Sequence, residues 1–179
     1  MLTPADSSLG PVHERLFTIG RAATTPIIAA VHGPALAGGT GLVANAHIAI
    51  ASEDATFGLP EVDRGALGAA THLARLVPQH RMRAMVYLAE TVTAHELLRY
   101  GSVLKVVERE KLRDTALEVA RAIAGKSPAV IRAAKESLNG IDPVDVKRSY
   151  RFEQGFTFEL NLAGEGDKAR DAFVQKSDD

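Results

Sequence analysis

The chain has 179 residues, of which 46% are hydrophobic and 24% are charged, and this balance indicates one packed globular domain rather than a disordered or low-complexity chain. Its 21 Lys and Arg nearly match its 22 Asp and Glu, giving a formal net charge of -1. A nucleic acid or an anionic membrane would therefore meet no general basic field, and neither is an expected partner.

The N-terminal segment carries no targeting or membrane signal. Its first 15 residues lack a basic region followed by an apolar run, and no apolar stretch in the chain approaches about 18 residues. No cysteine is present, which excludes disulfides and cysteine zinc sites and is compatible with a reducing compartment. We expect a cytoplasmic protein that begins with loose chain before a short helix over Val12 to Ala22.

The next segments alternate between apolar runs and turns. Bounding prolines and β-branched residues predict a strand buried on both faces over 26–31, and a second buried strand is predicted over 47–51. A glycine turn and a brief helix are predicted between them, and a short strand over 55–58. Pro60 breaks regular structure, so Glu61 is predicted on a loop or at the end of an element.

Helical spacing and capping signals organise the remainder of the chain. They predict a helix through Leu73 that ends at Pro78, a helix from His80 to Glu90, a small helix between Thr93 and Gly101, a last strand over 103–107, and three C-terminal helices that start near Lys111, after Ser127 and after Asp142. The chain therefore divides into an α/β core over 1–108 and a helical segment over 109–179.

The glycine turn Gly38 to Gly41 is the first candidate for chemistry. It follows a predicted strand and opens a helix, so its N–H groups lie at the positive end of the helix dipole without intrahelical acceptors. The turn lacks the lysine of a phosphate loop and the spacing of a dinucleotide site. It suits a carbonyl oxygen that gains negative charge during reaction, an effect of roughly 3 to 4 kcal/mol per donor. Tight packing between strand and helix is the structural alternative.

Glu61 is the second candidate. It follows the apolar segment Phe57 to Pro60, where partial desolvation would raise the carboxyl pKa toward a value useful for proton transfer. The alternative is a helix cap or a salt-bridged residue, with Asp63 or Arg64 on the solvated side.

Several segments in fixed order resemble the enoyl-CoA hydratase/isomerase (crotonase) superfamily from about Thr24 to the end of the chain. They are Pro-Ile-Ile-Ala-Ala-Val-His-Gly at 26–33, Ala-Gly-Gly at 37–39, the strand at 47–51, Ala-Thr-Phe-Gly-Leu-Pro-Glu at 55–61, and Arg75-Leu76. The resemblance implies an α/β spiral of ββα units of the ClpP/crotonase type, without its N-terminal portion. It also implies that the C-terminal helices serve oligomerisation, as a homotrimer or hexamer, and pocket closure.

The resemblance also implies roles for single residues. The Gly38 N–H would polarise the thioester of an acyl-CoA, and Glu61 would be the catalytic acid and base. CoA would arrive as part of the substrate, with no separate cofactor. The expected substrate-binding positions are Leu36, Gly41, Pro60, Arg64, Gly68 and His72. For His72, the alternative to substrate binding is a capping or packing role. His32 could face the same pocket, and a structural role is its alternative.

The sequence departs from the family pattern at two places. Hydratases carry a second glutamate directly after the glycine turn, where this chain has Gly41, so addition of water by two carboxylates is not expected. The upstream segment that supplies the other oxyanion N–H is missing before Thr24. We therefore expect weak or no activity of the isolated chain unless a neighbouring subunit or an upstream segment completes the site.

A narrower likeness joins the segments 52–62, 64–72, 130–136 and 153–163 to the CoA-dependent ring-opening hydrolases of bacterial steroid breakdown. It favours C–C hydrolysis of a cyclic keto-acyl-CoA. Enoyl-CoA isomerisation, which needs one acid/base, and hydration remain alternatives. An inactive family member acting as a subunit partner remains a further alternative.

Two further groups of residues complete the sequence-based predictions. His47, His80 and His95 have no partner at metal-ligand spacing, so no metal site is expected. Tyr150, Phe152, Phe156 and Phe158 concentrate aromatic residues near the C-terminus, either as core or as a face covered by another subunit.

Overall fold

The computed structural model describes residues 18–142 and 145–177. Its strands are β1 (Ile28–Val31), β2 (Pro34–Leu36), β3 (Ile48–Ser52), β4 (Thr56–Gly58), β5 (Thr91–Thr93) and β6 (Lys105–Val107). Its helices are α1 (residues 18–22), α2 (Gly38–Asn45), α3 (Ala70–Leu73), α4 (Gln79–Leu88), α5 (Ala94–Tyr100), α6 (Leu112–Ala124), α7 (Pro128–Ile141), α8 (Val146–Leu162) and α9 (Glu165–Ser177). The portion of the predicted first helix before residue 18, and Pro143, lie outside the described residues.

The strands form two small sheets, and β1 to β4 alternate between them. One sheet has the order β1-β3-β6 with all strands parallel, and the other has the order β2-β4-β5, with β2 and β4 parallel and β5 antiparallel to β4. Two ββα units therefore follow each other, β1-β2-α2 and β3-β4-α3. This succession is the predicted α/β spiral.

The core lies where the helices cover these sheets. Fully buried side chains in it come from β4, α3, α4 and α5, through Phe57, Leu73, Met85 and Leu97. The amphipathic helix α6 packs on the sheet that holds β1 and β3. Within 18–142 and 145–177, no helix is long and apolar enough to cross a membrane.

Local signals placed several elements correctly. The Thr93 side chain accepts the Glu96 N–H at the start of α5 at 3.2 Å, and Gly101 ends that helix with a φ of 78°. Ser127 and Pro128 open α7, although the Ser127 side chain makes no capping hydrogen bond.

Two predictions about the core elements were wrong, and two short strands were missed. β1 is an edge strand, and Ala30 in it is exposed, so the strand is not buried on both faces. The helix predicted through Leu73 to Pro78 has only four residues, α3, because Leu76 then donates to Leu73 O in a tighter turn that buries the same apolar residues. The three-residue strands β2 and β5 were not predicted.

The C-terminal segment has four helices where three were predicted. Gly164, with a φ of 74°, separates α8 from α9. The predicted cap at Asp142 was also wrong, because the Asp145 side chain accepts the Arg148 N–H at the start of α8. Asp142 instead forms an ion pair with Arg75 at 3.1 Å.

Thr40 fixes the start of α2 to the second sheet. Its side chain is fully buried, and its hydroxyl donates to Ala35 O at 2.6 Å, with Gly58 O as a further acceptor at 2.9 Å. The same oxygen accepts the Gly58 N–H at 3.0 Å. One hydroxyl therefore joins β2, α2 and β4.

We predict that Thr40→Val lowers the free energy of unfolding by about 1–3 kcal/mol, because the buried Gly58 N–H loses its acceptor. Chemical denaturation measures the change. Thr40→Ser keeps the hydroxyl and is the control. Equal stability of the two variants would contradict this role for the hydroxyl.

Candidate active site

The parallel pairing of β2 with β4 brings the two candidate segments to one edge of a sheet. Leu36 lies opposite Gly58 in the register, and neighbouring strands are about 4.8 Å apart. Ala37 N donates to Gly58 O at 2.9 Å just beyond the strands. The chain then enters α2 at Gly38 on one side and the turn that carries Glu61 on the other.

The backbone at the start of α2 is unusual. Ala37 has a φ of 53° and a ψ of -120°, a conformation that is strained for a residue with a side chain and that occurs most often at functional sites. The first hydrogen bond of the helix runs from Gly41 N to Ala37 O at 3.1 Å. The N–H of Gly38 precedes this bond, in the part of a helix that has no intrahelical acceptors.

A cavity of about 210 Å³ lies beside Glu61. Its walls come from the turn at 60–64, the loop before α3, and the helices α3, α4 and α8. Apart from two carboxylates and the exposed Tyr87, the lining is apolar: Leu59, Glu61, Val62, Ala66, Leu67, Gly68, Ala70, Val86, Tyr87, Phe152, Glu153 and Phe156. Gly38 is not part of this lining.

Glu61 is the second residue of a 3-10 turn over Pro60–Arg64, which agrees with the prediction that it lies on a loop or at the end of an element. Its Oε2 atom is buried and has no hydrogen-bond partner among the described residues. Burial is the largest influence on the carboxyl pKa and raises it. The backbone N–H of Glu61 itself opposes this effect, and the negative charge of Glu153 adds a smaller upward shift. A carboxyl group in this condition suits proton transfer near neutral pH.

Glu153 is the second carboxylate of the cavity, and sequence reasoning did not identify it as a site residue. It accepts the N–H of Ala70 at 2.9 Å and the N–H of Thr71 at 2.5 Å, together with the Thr71 hydroxyl. The contact spans more than 80 residues of chain. The only local signal was an acidic residue set among the aromatic side chains of a predicted helix.

The structure places His72 away from the cavity surface. Its side chain is fully buried, and its ring packs edge-on against Tyr150, with the ring centroids 5.3 Å apart. This position fits the packing alternative rather than a contact with substrate. The Tyr150 pKa is raised by burial and then by the charges of Glu153 and Glu61, so the tyrosine lies near both carboxylates.

The other predicted binding positions separate into three groups. Gly68 lines the cavity. Pro60 and Arg64 bound the turn of Glu61, with Arg64 exposed. Leu36 is partly exposed at the end of β2, whereas Gly41 is buried inside α2, where its carbonyl accepts the Asn45 side chain at 3.1 Å. The described ranges contain no group of three or more His, Asp or Glu that could hold a metal ion.

Comparison with known families agrees with this architecture. Residues 5–178 match the model of the family described as enoyl-CoA hydratase/isomerase. A protein of Rhodococcus jostii named (7aS)-7a-methyl-1,5-dioxo-2,3,5,6,7,7a-hexahydro-1H-indene-carboxyl-CoA hydrolase is 65% identical over 150 residues, which cover 84% of this chain and 58% of that protein. A Mycobacterium tuberculosis protein of the same name is 64% identical and is covered to 62%. The chain thus spans about three fifths of these relatives.

Solved structures show the same fold. The crystal structure of a carnitinyl-CoA hydratase from Mycobacterium avium matches with a TM-score of 0.78 at 30% identity, over 86% of this chain and 61% of that one. An enoyl-CoA hydratase/isomerase from Pseudoalteromonas atlantica matches with a TM-score of 0.82 at 25% identity, over 90% of this chain and 66% of that one. The predicted crotonase-like fold is therefore confirmed.

The raised pKa of Glu61 predicts a pH-dependent difference in stability between the wild type and Glu61→Gln. A raised pKa means that the folded state favours the protonated carboxyl group. That contribution is complete below the ordinary glutamate pKa and is lost as pH rises through the folded-state value. Glu61→Gln, which stays neutral, should therefore gain stability relative to the wild type as pH rises through this window.

Chemical denaturation at a series of pH values measures this difference in the free energy of unfolding. Glu159→Gln on the exposed side of α8 is the control for removing a carboxylate. A wild type that gains stability over Glu61→Gln as pH rises would show that the Glu61 pKa is lowered in the folded state.

Proposed function

Because the chain belongs to the enoyl-CoA hydratase/isomerase family, we propose that it acts on an acyl-CoA thioester and hydrolyses a C–C bond of a cyclic keto-acyl-CoA. The names of the two hydrolase relatives support the substrate class, since they describe a fused ring that bears two oxo groups and a CoA thioester. CoA enters as part of the substrate.

The observation that carries the proposal is the buried, unpartnered Oε2 of Glu61 at an apolar cavity. Buried polar atoms are nearly always hydrogen-bonded, so an exception suggests a partner that arrives with the substrate. A water molecule or an acidic carbon of the substrate would supply it. The raised pKa of Glu61 suits exchange of a proton with either partner.

In the proposed reaction, the thioester oxygen accepts the Gly38 N–H, which stabilises negative charge as it develops. Glu61 takes a proton from water, and the hydroxide formed attacks a ring ketone. The bond from that carbonyl carbon to its neighbour breaks, and the electron pair is delocalised toward the thioester. The neighbouring carbon then takes the proton from Glu61, and the former ketone becomes a carboxylic acid of the same ring-opened molecule, which releases its proton to solvent as it ionises. One water is consumed and the thioester stays intact.

Glu153 does not replace the second glutamate that hydratases carry at the position of Gly41. Its two oxygens already accept three donors from Ala70 and Thr71, so they are poorly placed to take a proton from water. A single free carboxyl group at the cavity favours C–C hydrolysis over hydration by two carboxylates.

We propose that the chain assembles as a homotrimer or hexamer, with an α/β core over 1–108 and C-terminal helices over 109–179 that form contacts between subunits and close the pocket. Exposed apolar side chains along α7 and α8 support this assignment: Val130, Leu138, Ile141, Phe158 and Leu162. Such apolar residues are commonly covered by a partner surface.

Incubation with a bicyclic dioxo-carboxyl-CoA, followed by mass spectrometry, tests the reaction. We predict a product heavier by one water with CoA still attached, because the ring opens and the thioester does not. Release of the free CoA thiol would show thioester hydrolysis instead. Isomerisation of an enoyl-CoA without a gain in mass would favour the isomerase alternative.

Glu61→Gln should lower turnover by about 100-fold or more, because the amide cannot exchange the proton. Initial rates on the same substrate measure the effect, and circular dichroism checks the fold. Glu159→Gln should keep the wild-type rate. A wild-type rate in Glu61→Gln would remove Glu61 from the mechanism.

Binding of an acyl-CoA should raise the melting temperature, since a ligand that prefers the folded state stabilises it. Thermal unfolding with and without millimolar ligand measures the shift. If the melting temperature does not change with ligand and the protein shows no turnover, the alternative of an inactive family member that acts as a subunit partner is favoured.

A further inference from the structure

The loop between Glu61 and α3 is held by a helix that lies far away in the sequence. Glu153 on α8 accepts the N–H groups of Ala70 at 2.9 Å and Thr71 at 2.5 Å. Four residues along the same helix face, the Thr157 hydroxyl donates to Leu67 O at 2.7 Å. Two tethers therefore fix one face of α8 to this loop and to the first residues of α3.

The start of α3 has no cap of its own, which explains why a distant carboxylate lies there. Ala69 occupies the N-cap position, where its methyl group cannot accept a hydrogen bond, and no side-chain cap is present. Its φ of 58° is left-handed, and a left-handed residue before helical ones points successive N–H groups toward one anion. Glu153 supplies that anion.

The same helix builds a wall of the cavity. Phe152 and Phe156 line it beside Glu153, and their rings pack edge-on with centroids 5.1 Å apart. Gly65 lies against the chain that follows α8, because a Cβ added at Gly65 would lie 2.5 Å from Glu165 O. The loop is thus held closely at Gly65 and at Leu67.

A backbone hydrogen bond connects the tethered loop to Glu61. The Ala66 N–H donates to Glu61 O at 3.1 Å, so the loop held by α8 begins at the turn that carries the catalytic candidate. Glu61 and Glu153 also line the same cavity. Displacement of α8 would remove two phenylalanine rings from the cavity and admit water to Glu61.

We propose that Glu153 is a positioning residue that seats α8 on the loop before α3 and so completes the apolar wall beside Glu61. Its effect on turnover rests on the proposed function, whereas its effect on the loop does not. A cap that only stabilises α3 would change the loop but leave the catalytic constants of the folded protein unchanged.

Hydrogen exchange of the free protein tests the tether directly. Glu153→Gln keeps the shape of the side chain, but its amide nitrogen is a donor and cannot accept an N–H. The remaining amide oxygen can serve only one of the two sites as before and has lost the negative charge, so at least one of the Ala70 and Thr71 amides should exchange about tenfold faster or more in this variant. Glu159→Gln on the same helix is the matched control and should leave them unchanged. Wild-type exchange in Glu153→Gln would overturn the proposal.

Steady-state kinetics test the consequence for the cavity. We expect kcat/KM of Glu153→Gln, per folded protein, to fall at least tenfold on the cyclic keto-acyl-CoA, and that of Glu159→Gln to stay at the wild-type value. Faster exchange with an unchanged kcat/KM would overturn the positioning role. A wild type without turnover would reject the proposed function instead, and the exchange result would still decide the tether.

Thr157 provides a second variant pair, which keeps the proposal testable if Glu153→Gln does not fold. Thr157→Val removes the donor to Leu67 O, and Thr157→Ser retains it. In Thr157→Val, amide exchange in the loop should become faster and kcat/KM should fall, as for Glu153→Gln. In Thr157→Ser, both quantities should return toward the wild-type values. Identical behaviour of the two variants would argue against seating of α8 on the loop.

Discussion

The candidate site depends on the cost of keeping the Glu61 carboxylate out of water. Burying an ionised carboxylate costs free energy unless hydrogen-bond donors compensate its charge. The Oε2 atom of Glu61 has no hydrogen-bond partner among the described residues. Glu153 adds a second negative charge nearby but has three donors of its own. Burial therefore raises the pKa of the Glu61 carboxyl group, so it holds its proton more strongly than an ordinary glutamate. Two carboxylates in different surroundings thus acquire different roles.

The fold creates this difference with few elements. Parallel β2 and β4 end at the same edge, so the start of α2 and the turn of Glu61 are neighbours although more than 20 residues separate them. Helix α8 then supplies one wall of the cavity from a distant part of the chain. The site consequently combines a sheet edge with a wall that Glu153 and Thr157 tether to the rest of the site.

The sequence predicted the features whose determining residues lie close together in the chain. The Thr93 cap and the Gly101 stop were predictable because their signals lie within one helix. The family resemblance supplied the fold and singled out Glu61 and Gly38, since those motifs are short and ordered. The strands β2 and β5 were missed because each has only three residues and becomes a strand by pairing with β4, which the local sequence does not show. Glu153 was missed because its partners lie more than 80 residues away, and nothing local marks such a contact.

A crystal structure of Glu61→Gln with an unreactive acyl-CoA analogue that retains the thioester carbonyl tests the account most directly. The account predicts that the carbonyl oxygen lies about 3 Å from Gly38 N and that the acyl group enters the cavity between residue 61 and Phe152. An acyl group bound elsewhere, or a carbonyl oxygen out of reach of Gly38 N, would contradict it.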